Sequence, residues 1–379
     1  MMKLKQTWLN LLYRIIKSNK SAKIEDYIEL ENVSVVLAPS SSIEEFYDNE
    51  YQLKMFHEMH KVFFSNEENI FGHSYKDAIQ PPFQLIKDPI DSVVYLLNKN
   101  ETTRKAVLTF VPYDSDKVPC ITSVQFLIRN KRLNIIYNSR GEDIYNKFPS
   151  DAMCVIECGR KIADKLKIKM GSVTANIASA HIYLKDIKNA CLEFKKNFKH
   201  TILTGNVNKY EKFIDELKDN DIEIKLNEIK LNEIQSIDIE EIAKNKAKSA
   251  YDYYGRPMWV DDVAFMTEAF DNFPGPFTKY FFKILDIEDI KMFYQNKSKK
   301  AKMICTLCLY DGNNYHIVQG ENEGYVDFSR PIKQIAMPLN SIFISSDPMK
   351  HRKDAIQKLL STIRDSNFEN TLYCTYINE

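Results

Sequence analysis

The residues most able to do chemistry lie between Cys120 and Tyr183. Cys120 follows Pro119, whose ring restricts the backbone, and it precedes an apolar run typical of a strand. A thiolate at this position would be a nucleophile. Arg140 could bind a phosphate with its planar fork or hold the cysteine as a thiolate. A lone cysteine is more often a small buried hydrophobe, so the interpretation depends on the spacing of its neighbours.

That spacing is specific. Arg140 is followed three residues later by Asp143, a Phe-Pro-Ser-Asp segment ends at Asp151, and a His-x-Tyr pair follows at His181 and Tyr183. This order resembles thymidylate synthase and its relatives, the pyrimidine nucleotide hydroxymethylases. The resemblance implies an obligate homodimer that uses 5,10-methylenetetrahydrofolate.

The resemblance also implies a role for each residue. Cys120 would add to C6 of the pyrimidine, and Arg140 would hold the phosphate and the nucleophile. Asp143 would contact the folate and its water network, while His181 and Tyr183 would bind the sugar hydroxyl.

Three further positions match the same family. Glu58, in a predicted helix over 52–66, corresponds to the catalytic glutamate, although a solvated helical glutamate is an equal alternative. Arg104 and Lys105 match the pair that reaches across the dimer to the partner's phosphate. A lysine there is a point charge rather than a fork.

Asp151 indicates which base is bound, because the synthases have an asparagine at this position. A carboxylate accepts from N4 of cytosine and, when protonated, donates to N3. Gly141 replaces a family serine, which would leave room for a 2′-hydroxyl. Ile121 lies where the synthases often have a histidine, which favours water over hydride in the last step. The sequence therefore favours C5 hydroxymethylation, with CMP preferred to dCMP. The alternatives are a synthase-like methylase of a uracil nucleotide and a nucleotide-binding protein with one inactive half.

A second set of motifs begins after the first. Thr204-Gly205-Asn206 and Lys209 form a polar turn at a helix start, which suits a phosphate. An Asp261-Asp262 pair and a Pro-Gly-Pro-Phe-Thr-Lys segment ending at Lys279 follow. These resemble the inosine triphosphate pyrophosphatases, which convert nucleoside triphosphates to monophosphates and pyrophosphate.

The second resemblance implies additional site residues. Lys246 would bind phosphate, His351 and Arg352 would contact the base, and Asp262 would be catalytic. Glu233, with Glu228 as a rival, would join Asp261 and Asp262 around Mg²⁺. The family's purine-reading aromatic loop should fall near 337–343, where no matching aromatic-Asp pair occurs. This departure predicts a changed base preference.

The whole sequence is consistent with two domains. Its 379 residues carry 52 basic and 52 acidic side chains, a balance that argues against nonspecific nucleic-acid binding. The seven cysteines are read as reduced thiols of a cytoplasmic protein, and no run of apolar residues predicts a membrane span. We expect an α/β (α+β) chain: a thymidylate synthase-like domain over 1–197 fused to a pyrophosphatase-like mixed α/β domain over 198–379.

The elements that must position these residues can also be read from the pattern. Apolar residues recur at helical spacing over 1–20, and a strand is predicted over 31–40. A strand, turn and helix are predicted over 201–217, and a helix over 239–251. The segment before Asp261 and Asp262 is predicted to be a buried strand that ends at the two aspartates. Cys305 and Cys308 are predicted to lie in a buried strand, without zinc.

Overall fold

The structure is a computed structural model, and it describes residues 1–18, 22–65, 67, 69–70, 74–80, 88–111, 118–227, 231, 234–329 and 339–373. The chain forms two compact units, which meet in sequence between Lys196 and Asn197. Both units are mixed α/β, as predicted. No helix in these ranges is long and apolar enough to cross a membrane.

The first unit is built on one mixed sheet with helices against it. Its helices are α1 (Leu4–Lys17), α2 (Glu50–Phe64), α3 (Tyr75–Ala78), α4 (Pro89–Lys99), α5 (Phe148–Leu166) and α6 (Ile187–Asn197). Its strands are β1 (Ala22–Ile24), β2 (Tyr27–Leu37), β3 (Ile79–Gln80), β4 (Val107–Phe110), β5 (Ile121–Arg129), β6 (Arg132–Ser139), β7 (Glu142–Asp143) and β8 (Lys169–Tyr183). The strand order is β1-β2-β8-β6-β5-β4-β3, and β7 pairs with β8.

Local sequence explains the elements that carry the first set of motifs. β5 and β6 form a hairpin, and both turn residues, Asn130 and Lys131, have positive φ, as tight hairpin turns require. α5 begins with a proline in its first turn, where the missing N–H costs nothing. At Gly159 this helix approaches β6 so closely that an added Cβ would lie 2.1 Å from Ile135 Cδ1.

The predicted N-terminal helix is confirmed by α1. Trp8 and Leu12 are completely buried, and the indole Nε1 of Trp8 donates to the backbone carbonyl of Ile144 over 2.8 Å. This hydrogen bond ties α1 to the residue that directly follows β7.

The second unit has its own sheet. Its helices are α7 (Val207–Leu217), α8 (Ile239–Tyr254), α9 (Thr278–Ile284), α10 (Ile287–Phe293), α11 (Leu339–Ile342), α12 (Lys350–Arg364) and α13 (Ser366–Tyr373). Its strands are β9 (His200–Thr204), β10 (Ile222–Leu226), β11 (Trp259–Thr267), β12 (Pro274–Gly275), β13 (Lys300–Tyr310), β14 (Tyr315–Val326) and β15 (Phe343–Ile344). The order is β10-β9-β11-β13-β14-β15, and β12 pairs with β11.

Of the two strands predicted around functional residues of this unit, one is longer than predicted and the other is confirmed. The strand before the paired aspartates does not end at them: Asp261 and Asp262 lie inside β11, because the strand stays paired with β13 as far as Thr267. The buried strand predicted for Cys305 and Cys308 is confirmed by β13, and both thiols are free and buried.

The expectation that all cysteines are reduced is wrong for one of them. Cys191, buried on α6, is disulfide-bonded. Its burial limits the access of reductants to the bond. The other cysteines that the structure describes are free: Cys120, Cys154, Cys158, Cys305 and Cys308.

Candidate active sites

Arg140 clamps the segment that carries the candidate nucleophile. Its Nε donates to the carbonyl of Pro119 over 3.1 Å, and its Nη2 donates to the carbonyl of Val118 over 2.8 Å. Its backbone N–H donates to the carbonyl of Cys120 over 2.9 Å. The arginine therefore positions Cys120 directly, whether or not it also binds a phosphate.

The charges around Cys120 oppose each other. Burial raises the pKa of its thiol, and the carboxylate of Asp151 raises it further, whereas Lys147 and Arg140 lower it. The net direction is upward, so the thiol stays protonated at neutral pH. Activation of this sulfur therefore requires a proton acceptor or an additional positive charge.

A two-residue pairing aligns the rest of the first site. β7 runs parallel to β8, with Asp143 opposite His181, and the N–H of Ile144 donates to the carbonyl of His181 over 2.9 Å. A Cβ added at Gly141 would meet only Cε1 of His181, at 3.9 Å. Tyr183 packs edge-on against His181, with ring centroids 5.4 Å apart.

Asp143 has a structural role in this arrangement. Its carboxylate accepts from the backbone N–H and the side-chain amide of Asn146, over 3.0 and 2.8 Å. These bonds shape the turn into α5, which carries Asp151 in its first turn.

The structure adds one residue that the sequence reading missed. Glu142 is 1% exposed, as is Asp151. Both oxygens of Glu142 and Oδ1 of Asp151 lack a hydrogen bond of normal geometry in the described part of the chain. Each carboxyl nevertheless lies close enough to influence the other's titration. The only sequence signal was its place between Arg140 and Asp143, where a charged run normally indicates solvent exposure.

Three predicted site residues, Glu58, Arg104 and Lys105, form no hydrogen bond or ion pair with Cys120 or Asp151 within the described part of the chain. Glu58 forms an ion pair with Lys61 over 2.9 Å and accepts from the N–H of Ile70 over 3.2 Å. Lys61 holds the pKa of Glu58 below its usual value. Arg104 and Lys105 are exposed just before β4, so their proposed part in a dimer contact stays a prediction.

In the second unit, the predicted polar turn lies between β9 and α7. Asn206 caps α7 through its side-chain oxygen, which accepts from the N–H groups of Asn208 and Lys209 over 2.9 and 3.3 Å. The Thr204 hydroxyl accepts from the N–H of Asn206 over 3.4 Å. The turn therefore places Lys209 on the first turn of the helix.

Asp261 is the centre of the second cluster. Its carboxylate is 1% exposed and forms an ion pair with Lys209 over 2.7 Å, while Lys246 donates to its backbone carbonyl over 2.9 Å. Burial opposes ionisation, but the charges of Lys209 and Lys246 outweigh it and lower the pKa of Asp261 to about 2. For Asp262 burial prevails over the same lysines, and its pKa is raised.

The predicted base-contacting pair lies beside these charges. His351 and Arg352 are 3% and 6% exposed, and Nδ1 of His351 and Nε and Nη1 of Arg352 lack hydrogen bonds in the described ranges. Burial, then the charge of Arg352, lowers the pKa of His351 to about 4. Arg352 also contributes to the low pKa of Asp261. Lys279, on α9, is exposed.

The carboxylates in this cluster suit a hard cation only in part. Asp262 offers the oxygen donor that Mg²⁺ prefers, but Asp261 is already paired with Lys209. No group of three metal-binding side chains occurs among the described residues. Glu233, Glu228 and the segment 331–338 lie outside them, so the third donor and the start of the base-reading loop stay predictions.

Comparison with known proteins links each cluster to a family. The thymidylate synthase family model matches residues 38–236, and the Ham1 family model matches residues 200–349. An inosine triphosphate pyrophosphatase of Scheffersomyces stipitis is 34% identical over 34% of this chain and 73% of its own length.

The relatives of the first unit are matched less fully. A protein of Methanocaldococcus jannaschii named "Putative thymidylate synthase" is 32% identical over 31% of this chain and 58% of its own length. The chain thus spans under two thirds of that relative.

Among solved structures, a HAM1 protein from Coxiella burnetii aligns with a TM-score of 0.38 and 20% identity, over 44% of this chain and 98% of that one.

The Lys209–Asp261 pair predicts how the second unit responds to acid. The Asp261 pKa is below its ordinary value of 3.8 in the folded protein, so its contribution to stability is present above 3.8 and is lost as the pH falls toward 2. Removing one partner of a buried pair costs about 3 kcal/mol. We expect Lys209→Met to lower the free energy of unfolding at pH 7 by about that amount and to flatten its acid dependence.

Urea unfolding at pH 7 and at pH 3 measures both effects. Lys248→Met is the matched control, because Lys248 pairs with Asp252 over 2.6 Å on the exposed face of α8, where such pairs contribute under about 1 kcal/mol. Equal effects of the two substitutions would contradict the prediction.

Proposed function

Because the chain belongs to the thymidylate synthase family in its first part and to the Ham1 family in its second, we propose that it is a bifunctional nucleotide enzyme. The first unit hydroxymethylates C5 of a cytidine monophosphate, and the second hydrolyses a nucleoside triphosphate to monophosphate and pyrophosphate. The observation that carries the first activity is the buried carboxyl of Asp151 near the thiol of Cys120. We place the enzyme in the cytoplasm as a homodimer, with Arg104 and Lys105 reaching the partner's site.

The reaction begins with covalent addition. The Cys120 sulfur adds to C6, which makes C5 nucleophilic. Methylenetetrahydrofolate, when bound, supplies the one-carbon unit. Among this chain's residues, Asp143 would face the folate and Arg140 would hold both the Cys120 segment and the nucleotide phosphate. Water rather than hydride then completes the product, giving a hydroxymethyl group.

Base choice rests on Asp151. Burial raises its pKa to about 6, so near neutral pH this carboxyl is available both protonated and ionised. The protonated form can donate to N3 of cytosine, and an oxygen can accept from N4. An amide at the same position would suit the O4 and N3–H of uracil. The carboxyl therefore favours a cytidine nucleotide.

Sugar choice rests on Gly141 and His181. Gly141 leaves open space beside Cε1 of His181, the residue proposed to bind the sugar hydroxyl. A 2′-hydroxyl would occupy that space, so CMP is the proposed substrate in preference to dCMP.

The second unit supplies the phosphate chemistry. Thr204, Asn206, Lys209, Lys246 and Lys279 would bind the triphosphate. Glu233, Asp261 and Asp262 would hold Mg²⁺, which neutralises the triphosphate and orients water when bound. His351 and Arg352 would contact the base. With the purine-reading loop rewritten, a pyrimidine triphosphate is the proposed substrate, so that CTP yields the CMP that the first unit consumes.

The nucleophile is tested by isotope exchange. We expect Cys120→Ser to reduce tritium release from C5-labelled CMP to background, because an alcohol is a far weaker nucleophile than a thiolate. Cys158→Ser, in the same unit on α5, should retain the wild-type rate. Exchange that persists in Cys120→Ser would exclude this assignment.

Sugar preference is tested at the open position. Gly141→Ser should fold normally, since its Cβ meets only His181 at 3.9 Å, and its hydroxyl would fill the space proposed for the 2′-hydroxyl. We expect the kcat/KM ratio of CMP to dCMP to fall by about tenfold, equivalent to ~1.4 kcal/mol. Competition between the two labelled nucleotides measures it. A wild-type preference for dCMP would overturn the proposal.

The hydrolase is tested by pyrophosphate release. With Mg²⁺, we expect release from CTP or dCTP and its loss in Asp262→Asn, while Asp252→Asn, on the exposed face of α8, acts as wild type. Release from ITP or XTP alone would exclude the supply of CMP. No release from any triphosphate would make this unit a binding module, and Asp262→Asn would then leave the first activity unchanged.

A further inference from the structure

Glu142 and Asp151 form a buried carboxyl pair in the first site. Glu142 lies on β7 and Asp151 on the first turn of α5, and each is 1% exposed. No described lysine or arginine forms an ion pair with either. Burying a carboxylate without a partner is costly, so both cannot remain ionised in this environment.

The surroundings of the pair favour retention of a proton. Burial first, and then the charge of Asp151, raises the pKa of Glu142 well above its usual range. Burial raises the pKa of Asp151 to about 6, the hydrogen bond from Glu142 and then the charge of Lys147 lower it, and the charge of Asp143 raises it. The other described groups that face the pair are neutral: the Cys120 and Cys154 thiols, the Ser139 hydroxyl and the phenols of Tyr75 and Tyr137. The oxygen of Tyr137 is itself buried without a hydrogen bond in the described chain.

Glu58 is a poorer proton source. Lys61 and the N–H of Ile70 stabilise its ionised form, and its hydrogen bonds within the described residues go to these two groups and not to Cys120. The protonated carboxyl nearest the nucleophile is therefore supplied by Glu142 and Asp151.

We propose that Glu142 is a positioning residue that keeps one proton shared with Asp151, and that Asp151 gives this proton to N3 of the pyrimidine as Cys120 adds to C6. This inference rests on the proposed function of the first unit. It adds a source for the proton that the addition step consumes.

The step balances in atoms and electrons. The Cys120 sulfur forms a bond to C6, the C5=C6 π pair shifts to join C4 and C5, and the C4=N3 π pair moves onto N3. N3 takes the proton from Asp151. The proton lost by the thiol replaces it on the carboxyl pair, so the pair ends with the proton count with which it began.

The first test needs no substrate. Infrared spectroscopy at pH 7 should show the carbonyl stretch of a protonated, buried carboxyl in the wild type. Glu142→Gln should remove it, whereas Glu157→Gln, an outlying carboxyl of α5, should leave it. A wild-type spectrum without this band overturns the inference, whatever the first unit catalyses.

The second test links the proton to the nucleotide. With Glu142→Gln, the amide can still donate a hydrogen bond to Asp151, as Glu142 does, but it has no proton to transfer. The pair then holds a proton only when Asp151 itself is protonated, and the pKa of Asp151 is about 6. We therefore expect CMP affinity and C5 exchange at pH 7 to fall about tenfold, as for a carboxyl whose pKa is about one unit below the pH, and to recover as the pH is lowered. Glu157→Gln should follow the wild-type pH profile.

The outcomes separate this inference from the proposed function. If Glu142→Gln removes the infrared band but leaves the pH profile unchanged, the proton is not used and the inference is wrong. If the wild type exchanges C5 of no pyrimidine nucleotide, the proposed function fails. The pH dependence of CMP binding then decides the inference: a profile shifted by Glu142→Gln supports it, and an unshifted profile overturns it.

Discussion

The short parallel pairing of β7 with β8 determines which side chains meet at the first site. It sets Glu142 opposite Ala180 and Asp143 opposite His181, and the hydrogen bonds of Ile144 to His181 and to Trp8 fix the chain just beyond it. A shift of one residue would turn each side chain of this segment to the opposite face of the sheet. Glu142 would then leave the interior, and Arg140 would lose its bonds to the Cys120 segment.

The two sites solve the same electrostatic problem in different ways. In the second unit the buried carboxylate of Asp261 stays ionised because Lys209 and Lys246 surround it. In the first unit no described lysine or arginine forms an ion pair with Glu142 or Asp151, burial outweighs the charge of Lys147, and the pKa values of both carboxyls rise instead. One site therefore stores fixed charge, which suits a phosphate and a cation, and the other stores a proton, which suits the edge of a base.

Much of this could be predicted from sequence, because motif spacing constrains position along strands and helices. The grouping of Cys120, Arg140 and His181 followed from their order, and the Lys209 turn followed from its capping residue. The place of Glu142 in the site could not be predicted, because its burial depends on the pairing of β7 with β8. In the sequence it lies in a charged run, which normally indicates solvent exposure. The position of Asp261 was misjudged for a similar reason: pairing with β13, rather than local propensity, carries the strand past the aspartates.

The close approach of α5 to β6 has a consequence beyond packing. A Cβ added at Gly159 would meet the side chains of Ile135 and Met170, so the packing of these apolar side chains against the glycine sets the distance of the helix from the sheet, and Asp151 is carried by that same helix. The distance between Asp151 and Glu142 thus depends on the packing at Gly159, which lies more than two helical turns from Asp151. Substitutions among the apolar residues of that interface can change the acidity of the site while every residue proposed to contact the nucleotide stays the same. Lineages with identical site residues can therefore diverge in the pH range in which they work.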